Sequence, residues 1–199
     1  MIDHLVYATS DLATTVDVLN RKLGVELTPG GQHVGLGTRN FLAGLGNGAY
    51  LEVIGPDLGQ PERAEPRPFA VDGPRLVTWA VRVNGLADAI DRARAAGYDA
   101  GPAQPMSRRR EDGVLLEWRL TGAGFGLGVV PFLIDWGTSP HPSDSAVGGL
   151  ELVSLTGTHP EPDRIASALA ALGVDLPVTE GEPGLRAVIR SPAGEVVLT

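Results

Sequence analysis

Ile2-Asp3-His4-Leu5-Val6-Tyr7-Ala8 and Tyr50-Leu51-Glu52-Val53-Ile54 bracket the stretch on which the fold turns. Successive side chains of an extended chain face opposite ways. His4 therefore shares a face with Ile2 and Val6, and Glu52 shares one with Tyr50 and Ile54, while Leu51 and Val53 point away. The opening segment is apolar at both parities, which predicts a strand covered on two faces. A carboxylate in such company needs a partner, a proton or a ligand, because an unpaired buried charge is costly. An imidazole on a neighbouring strand suits it as a second ligand to one metal ion.

Between these segments, Ser10 or Asp11 is a candidate N-cap, and Leu12, Val16, Leu19 and Leu23 form one helical stripe that Gly24 ends. Val25-Glu26-Leu27-Thr28 restarts extended structure, and Pro29-Gly30-Gly31 reads as a turn. A strand around Thr38 to Leu45, a turn at Gly46-Asn47-Gly48 and the Glu52 strand complete a β-α-β-β-β unit.

The unit recurs. Leu76 to Val83 reads as a strand, Leu86, Ile90 and Ala93 as a helical stripe, and Tyr98 to Ala100, Val114 to Thr121 and Leu127 to Ile134 as further strands. A third, compact copy has Thr158 and Glu161 spaced as a capping box, a stripe of Ile165, Leu169 and Leu172, and strands near Gly149 to Leu155, Arg186 to Arg190 and Glu195 to Leu198. The glycines that close the three helices, Gly24, Gly97 and Gly173, are 73 and 76 residues apart, the size of a supersecondary module. The expected division is a first module over 1–56, a proline-rich connection over 57–74, a second module over 75–137 and a smaller one over 138–199. The fold class is α+β.

A chain of 199 residues with no run of about 18 apolar residues is expected to be soluble, with no membrane partner. Its net charge of −8 disfavours nucleic acid, whose binding needs clustered cations. No cysteine is present, so disulfides, thiolate metal sites and cysteine nucleophiles are excluded. The amino terminus lacks a signal-peptide pattern, and the expected location is cytoplasmic. Neither a Gly-x-Ser-x-Gly elbow nor a phosphate-binding Gly-x-x-x-x-Gly-Lys loop occurs.

The opening motif Ile2 to Ala8, the closing motif Tyr50 to Ile54 and their repetition resemble the vicinal oxygen chelate superfamily. Within it, the run Gly30 to Asn40 and the run Pro131-Phe132-Leu133-Ile134-Asp135-Trp136 resemble the glyoxalase-like domain family. The resemblance implies paired modules whose sheets curl into a cleft, with a divalent metal chelating vicinal substrate oxygens. It implies one ligand from the first and one from the last strand of each module. His4 and Glu52 match in the first module, whereas Trp79 and Pro131 fall at the corresponding places of the second and cannot ligate.

His4 and Glu52 read either as metal ligands or as a satisfied structural pair, and His33 either as a third ligand or as an exposed loop residue. Gly35, Gly37, Thr38 and Asn40 are candidate donors to a substrate carbonyl. Arg108-Arg109-Arg110 before Glu111-Asp112-Gly113 reads as a solvated charge run or as the contact for an anionic substrate. Trp79, Trp118 and Trp136 read as core or cleft wall. His141 and His159 are expected to be structural.

Two functions are expected from this reading. In one, Zn, Ni, Mn or Fe held by His4, Glu52 and His33 polarises a carbonyl or enolate oxygen while Glu52 or Glu117 shuttles a proton, as in a lyase, isomerase or dioxygenase. Thr38, Asn40, Trp79, Arg108 and Trp118 then contact the substrate. In the other, the same cleft sequesters an apolar molecule without metal, as drug-binding members of the superfamily do. The partner is a small molecule in either case, and the protein is a monomer or homodimer.

Overall fold

The structure, a computed structural model, describes residues 1–33, 35–60, 69–122 and 128–199. The first unit consists of β1 (Ile2–Ala8), α1 (Leu12–Leu23), β2 (Thr28–His33), β3 (Thr38–Gly44) and β4 (Tyr50–Pro56). The second consists of β5 (Arg75–Arg82), α2 (Leu86–Ala95), β6 (Gln104–Arg109), β7 (Leu115–Leu120) and β8 (Phe132–Asp135). In each unit the first strand lies parallel to the last, giving the orders β1-β4-β3-β2 and β5-β8-β7-β6. Antiparallel seams at β1/β5 and β2/β6 close the eight strands into one barrel.

Strand alternation sorts the side chains into two layers. Leu5, Leu51, Val53, Trp79, Val81 and Leu133 belong to the apolar layer shared with the helices. Leu42, Tyr50, Leu116, Trp118, Ile134 and Trp136 pack with one another in a separate cluster that borders the barrel's hollow. The helices are held by their ends as well as their stripes. Asp11 Oδ1 accepts from Thr14 N at 3.1 Å, and Gly24, at φ +68°, donates to Asn20 O at 2.9 Å. The amides of Gly85 and Leu86 at the start of α2 donate to Asp135 Oδ2 at 3.0 and 3.1 Å, which ties α2 to the end of β8.

A third unit follows, with β9 (Glu151–Thr158), α3 (Pro162–Ala171), β10 (Val178–Thr179), β11 (Gly184–Ser191) and β12 (Gly194–Leu198) in the order β10-β9-β11-β12. Its first strand pairs with β10 and β11 instead of with its last strand, so it is a βαβ unit extended by a hairpin. It packs on the outside of the barrel, where Leu155, Ile165, Leu169 and Ile189 join the same apolar layer as Leu5 and Trp79.

Four local expectations are corrected. Pro29-Gly30-Gly31 is not a turn but runs inside β2, because both glycines sit where neighbouring groups leave no room for a side chain. An added Cβ would lie 2.1 Å from Asn40 Oδ1 at Gly30 and 2.1 Å from the Arg109 carbonyl oxygen at Gly31. Tyr98 to Ala100 forms no strand, since Tyr98 N donates to Ala93 O in the C-terminal turn of α2, and β6 begins only at Gln104. The Thr158 capping box does not form. Thr158 Oγ1 donates instead to Glu182 O, and the amide of Glu161 is taken by His159 Nδ1. The strand expected from Leu127 begins at Phe132, and Leu127 lies outside the described residues.

Candidate functional site

The barrel surrounds a narrow hollow of about 50 Å³ that is partly open to solvent. Its wall is largely aromatic and aliphatic, and its polar groups, His4, His33, Thr38, Asn40, Glu52 and Arg108, come from five strands. Parity accounts for the placement. On β4, Glu52 lies between the inward residues Tyr50 and Ile54, and register sets it beside Val6 on β1 and Leu42 on β3.

Glu52 is the centre of the polar group. His4 Nε2 lies 3.6 Å from its Oε2 and His33 Nε2 lies 3.7 Å from its Oε1. Asn40 Nδ2 donates a short hydrogen bond to Oε1, and Asn40 Oδ1 accepts from Arg108 Nη1 at 3.1 Å. Asn40 therefore separates the acid from the guanidinium and orients both. His33 is the last residue of β2 and is buried, with Nδ1 3.0 Å from Thr38 Oγ1. Burial pushes its pKa down to about 4, helped by the charges of Arg108 and His4 and opposed by Glu52, so its ring is neutral at pH 7. Burial also lowers the pKa of Arg108, with the neighbouring Tyr50 and Glu52 side chains acting the other way, and the guanidinium keeps its charge.

Behind His4 stands a fully buried carboxylate that strand parity assigns to the wrong face. Asp3 falls at a register shift between the pairs Ile2↔Val81 and His4↔Ala80, and such a bulge re-aims a side chain. Its Oδ1 is 2.6 Å from His4 Nδ1, and its Oδ2 is 2.9 Å from His141 Nε2 and 3.2 Å from Trp136 Nε1. Burial alone would raise its pKa, but hydrogen bonds from His141 and His4 outweigh this and hold it well below the usual carboxylate range. Tyr50 stacks on the other side of the His4 ring with centroids 4.7 Å apart. Burial, reinforced by Asp3 and Glu52, raises the Tyr50 pKa, so its phenol is neutral.

Of the residues singled out in the sequence, His4, His33, Thr38, Asn40, Glu52, Arg108 and Trp118 line the hollow. Trp79 and Glu117 do not. Trp79 pairs with Leu5 on the helix-facing side of the barrel and donates Nε1 to Val129 O at 2.7 Å, so it is a core residue with no access to a substrate. Glu117 is exposed on the opposite face of β7 from Trp118, too far round the strand to move a proton inside. Arg108 is not part of a solvated charge run. It is an inward residue of β6, 3% exposed, while the turn proper spans Arg110 to Val114. Gly37 supplies its amide to Gln60 Oε1 instead of to the hollow. Sequence reasoning missed Asp3, Tyr50 and His141. A carboxylate directly before a strand histidine and a histidine between two prolines were the available signals for the first and last.

The family resemblance implies a divalent metal, and the donors as placed do not fit one. The two imidazoles face different oxygens of Glu52, and Oε1 is already occupied by the Asn40 amide. Among the described residues no group of three or more His, Cys, Asp or Glu side chains is placed to hold a metal ion. The first and last strands of the second unit offer no ligand at the corresponding place, since the residues of β5 and β8 paired across from each other on the inner side are Ala80 and Phe132.

Two βαβββ units closed around a cavity with a polar floor define a small-molecule protein of the vicinal oxygen chelate type. The sequence matches the model of the glyoxalase-like domain over residues 2–173, and the chain belongs to that family. A solved structure from Staphylococcus aureus, described as a hypothetical protein, is similar at TM-score 0.65 and 13% identity, covering 98% of this chain and 83% of that one. Methylmalonyl-CoA epimerase from Mycobacterium tuberculosis is similar at TM-score 0.43 and 21% identity, covering 68% of this chain and 87% of that one. A variant of the Streptomyces coelicolor epimerase, in complex with 2-nitronate-propionyl-CoA, gives TM-score 0.45 and 20% identity, with 71% and 98% covered. No curated protein matches the sequence. Among the described residues no helix is long and apolar enough to cross a membrane.

Proposed function

We propose that the barrel hollow is an acid–base site that moves a proton at a carbon next to a carbonyl group of a small, mainly apolar molecule. The observation that carries this reading is a buried carboxylate, Glu52, set between two imidazoles in a cavity whose remaining wall is mainly apolar. Glu52 Oε2, the oxygen that Asn40 leaves free, takes the proton as the C–H bond breaks, and the electron pair moves onto the carbonyl oxygen. Arg108 stabilises the negative charge that develops there. His4, held by Asp3 through Nδ1, keeps Nε2 towards Glu52 and exchanges the proton with it. Return of the proton to the same or a neighbouring carbon gives epimerisation or isomerisation.

Incubating the protein with a panel of carbonyl compounds in D₂O, and following loss of the C–H signal by proton NMR, tests this. Exchange is expected with the unmodified protein and is expected to fall by about 10²- to 10⁴-fold in Glu52→Gln. Exchange of equal rate in the variant would refute it. The wall of aromatic side chains supports a second reading, sequestration without chemistry, in which ligands bind in the hollow and no exchange occurs.

A further inference from the structure

Two hydrogen-bond donors of residues that line the hollow have no partner among the described residues: Arg108 Nε and Trp118 Nε1 are both buried and unbonded. They lie on adjacent strands. Met106 on β6 is in register with Trp118 on β7, and Arg108 is two residues further along β6, on the same face as Met106. Arg108 spends one N–H on the neutral carbonyl of Asn40, and among the described residues it makes no ion pair. A buried cation bonded only to a neutral group is an expensive arrangement, and so is a buried indole N–H without an acceptor. One group would satisfy both donors, an anion with two acceptor oxygens.

The rest of the wall limits what that anion is attached to. Trp118 and Trp136 sit with ring centroids 4.9 Å apart, and Tyr50, Phe132, Met106 and Leu120 continue an apolar surface around them. The Asn40 amide stands between Glu52 and Arg108 and holds the acid apart from the guanidinium that meets the incoming charge. Gly30 keeps the arrangement open, since any side chain there would displace Asn40 and Arg108. We propose that the ligand is an organic acid with a flat, apolar body, its carboxylate accepting from Arg108 Nε and Trp118 Nε1. This rests on the hollow being the binding site, and it specifies the class of molecule that enters it.

Calorimetric titration of the full chain with benzoate, phenylacetate and 1-naphthylacetate, each against its primary amide, tests the proposal. Each acid is expected to bind at least about tenfold more tightly than its amide, because a charge-assisted pair is lost in the amide. Arg108→Met is expected to erase the preference. Trp118→Phe keeps an aromatic ring and removes the N–H, and is expected to weaken the acids about three- to tenfold more than the amides. It also serves if Arg108→Met fails to fold. Amides binding as tightly as acids, or a preference that survives in Trp118→Phe undiminished, would overturn the proposal. Acids that bind while no member of the carbonyl panel exchanges deuterium refute the acid–base reading and leave this one standing. Exchange on neutral ketones with no preference for acids does the reverse. No binding of either series at about 10 mM overturns both.

Discussion

Replacing Gly30 with alanine tests the link between the glycine pair of β2 and the polar floor. The new Cβ would stand 2.1 Å from Asn40 Oδ1, 2.9 Å from Asn40 Cγ and 2.7 Å from Arg108 Nη1. Ordinary contact needs at least 3.4 Å, so the Asn40 side chain must move by more than an ångström. Such a shift breaks the bond from Arg108 and the bond to Glu52, each made to a charged group and worth about 1.5–3 kcal/mol. Restricting the unfolded chain returns about 0.4–1 kcal/mol. The net cost is about 2–5.6 kcal/mol, a fall in Tm of roughly 4–22 °C for a chain of this size. Thermal denaturation measures that, and titration with 1-naphthylacetate should show an affinity lower by about tenfold. Gly31→Ala is the control, because its clash is with the Arg109 carbonyl and its φ is +138°, so it strains the backbone of the β2/β6 seam and destabilises more. A Gly30→Ala protein with unchanged Tm and unchanged affinity would refute the reasoning.

Acid should weaken the protein in two separate windows. His33 has a folded-state pKa of about 4 against 6.5 when unfolded, so the unfolded chain takes up the proton first. Its contribution, complete above pH 6.5, is lost as pH falls towards 4, with a slope of up to about 1.4 kcal/mol per pH unit that His33→Gln should remove in urea titrations. Asp3 is held below the usual carboxylate range, so its contribution is complete above about pH 4 and disappears only at lower pH; Asp3→Asn should lower stability at pH 7 by about 1–3 kcal/mol and abolish the lower window. Adding Zn, Ni, Mn or Fe salts to protein purified without an affinity tag should leave Tm unchanged within about 1 °C. A rise of several degrees that is lost in both His4→Ala and Glu52→Ala would show that the side chains rearrange to grip a metal.

Period-two alternation sufficed wherever a strand was regular. It correctly separated Tyr50, Glu52 and Ile54 from Leu51 and Val53, and put His4 with Val6. It failed where one residue of register was in doubt. Asp3 sits on a bulge that a sequence does not announce, and Trp79 lies one place along β5 from the inward residue Ala80. The glycines of β2 look like a turn because a turn and a close approach of two chains demand the same residue. Arg108 is hidden among its charged neighbours until β6 is known to begin at Gln104, after which alternation turns it inwards and Arg109 outwards. No local signal reports that Arg108 and Asn40, 68 positions apart, share a hydrogen bond.

The two seams of the barrel are unequal. Six residue pairs join β1 to β5, whereas among the described residues only Gln32↔Arg109 and His33↔Arg108 join β2 to β6. Local opening of a fold is cheapest where the fewest backbone bonds must part. The barrel should therefore breathe along the stave line that carries His33 and Arg108, and amide exchange should be faster there than along β1. A guest reaching the floor through that slit would meet the imidazole and the guanidinium on its two lips before it met the acid within.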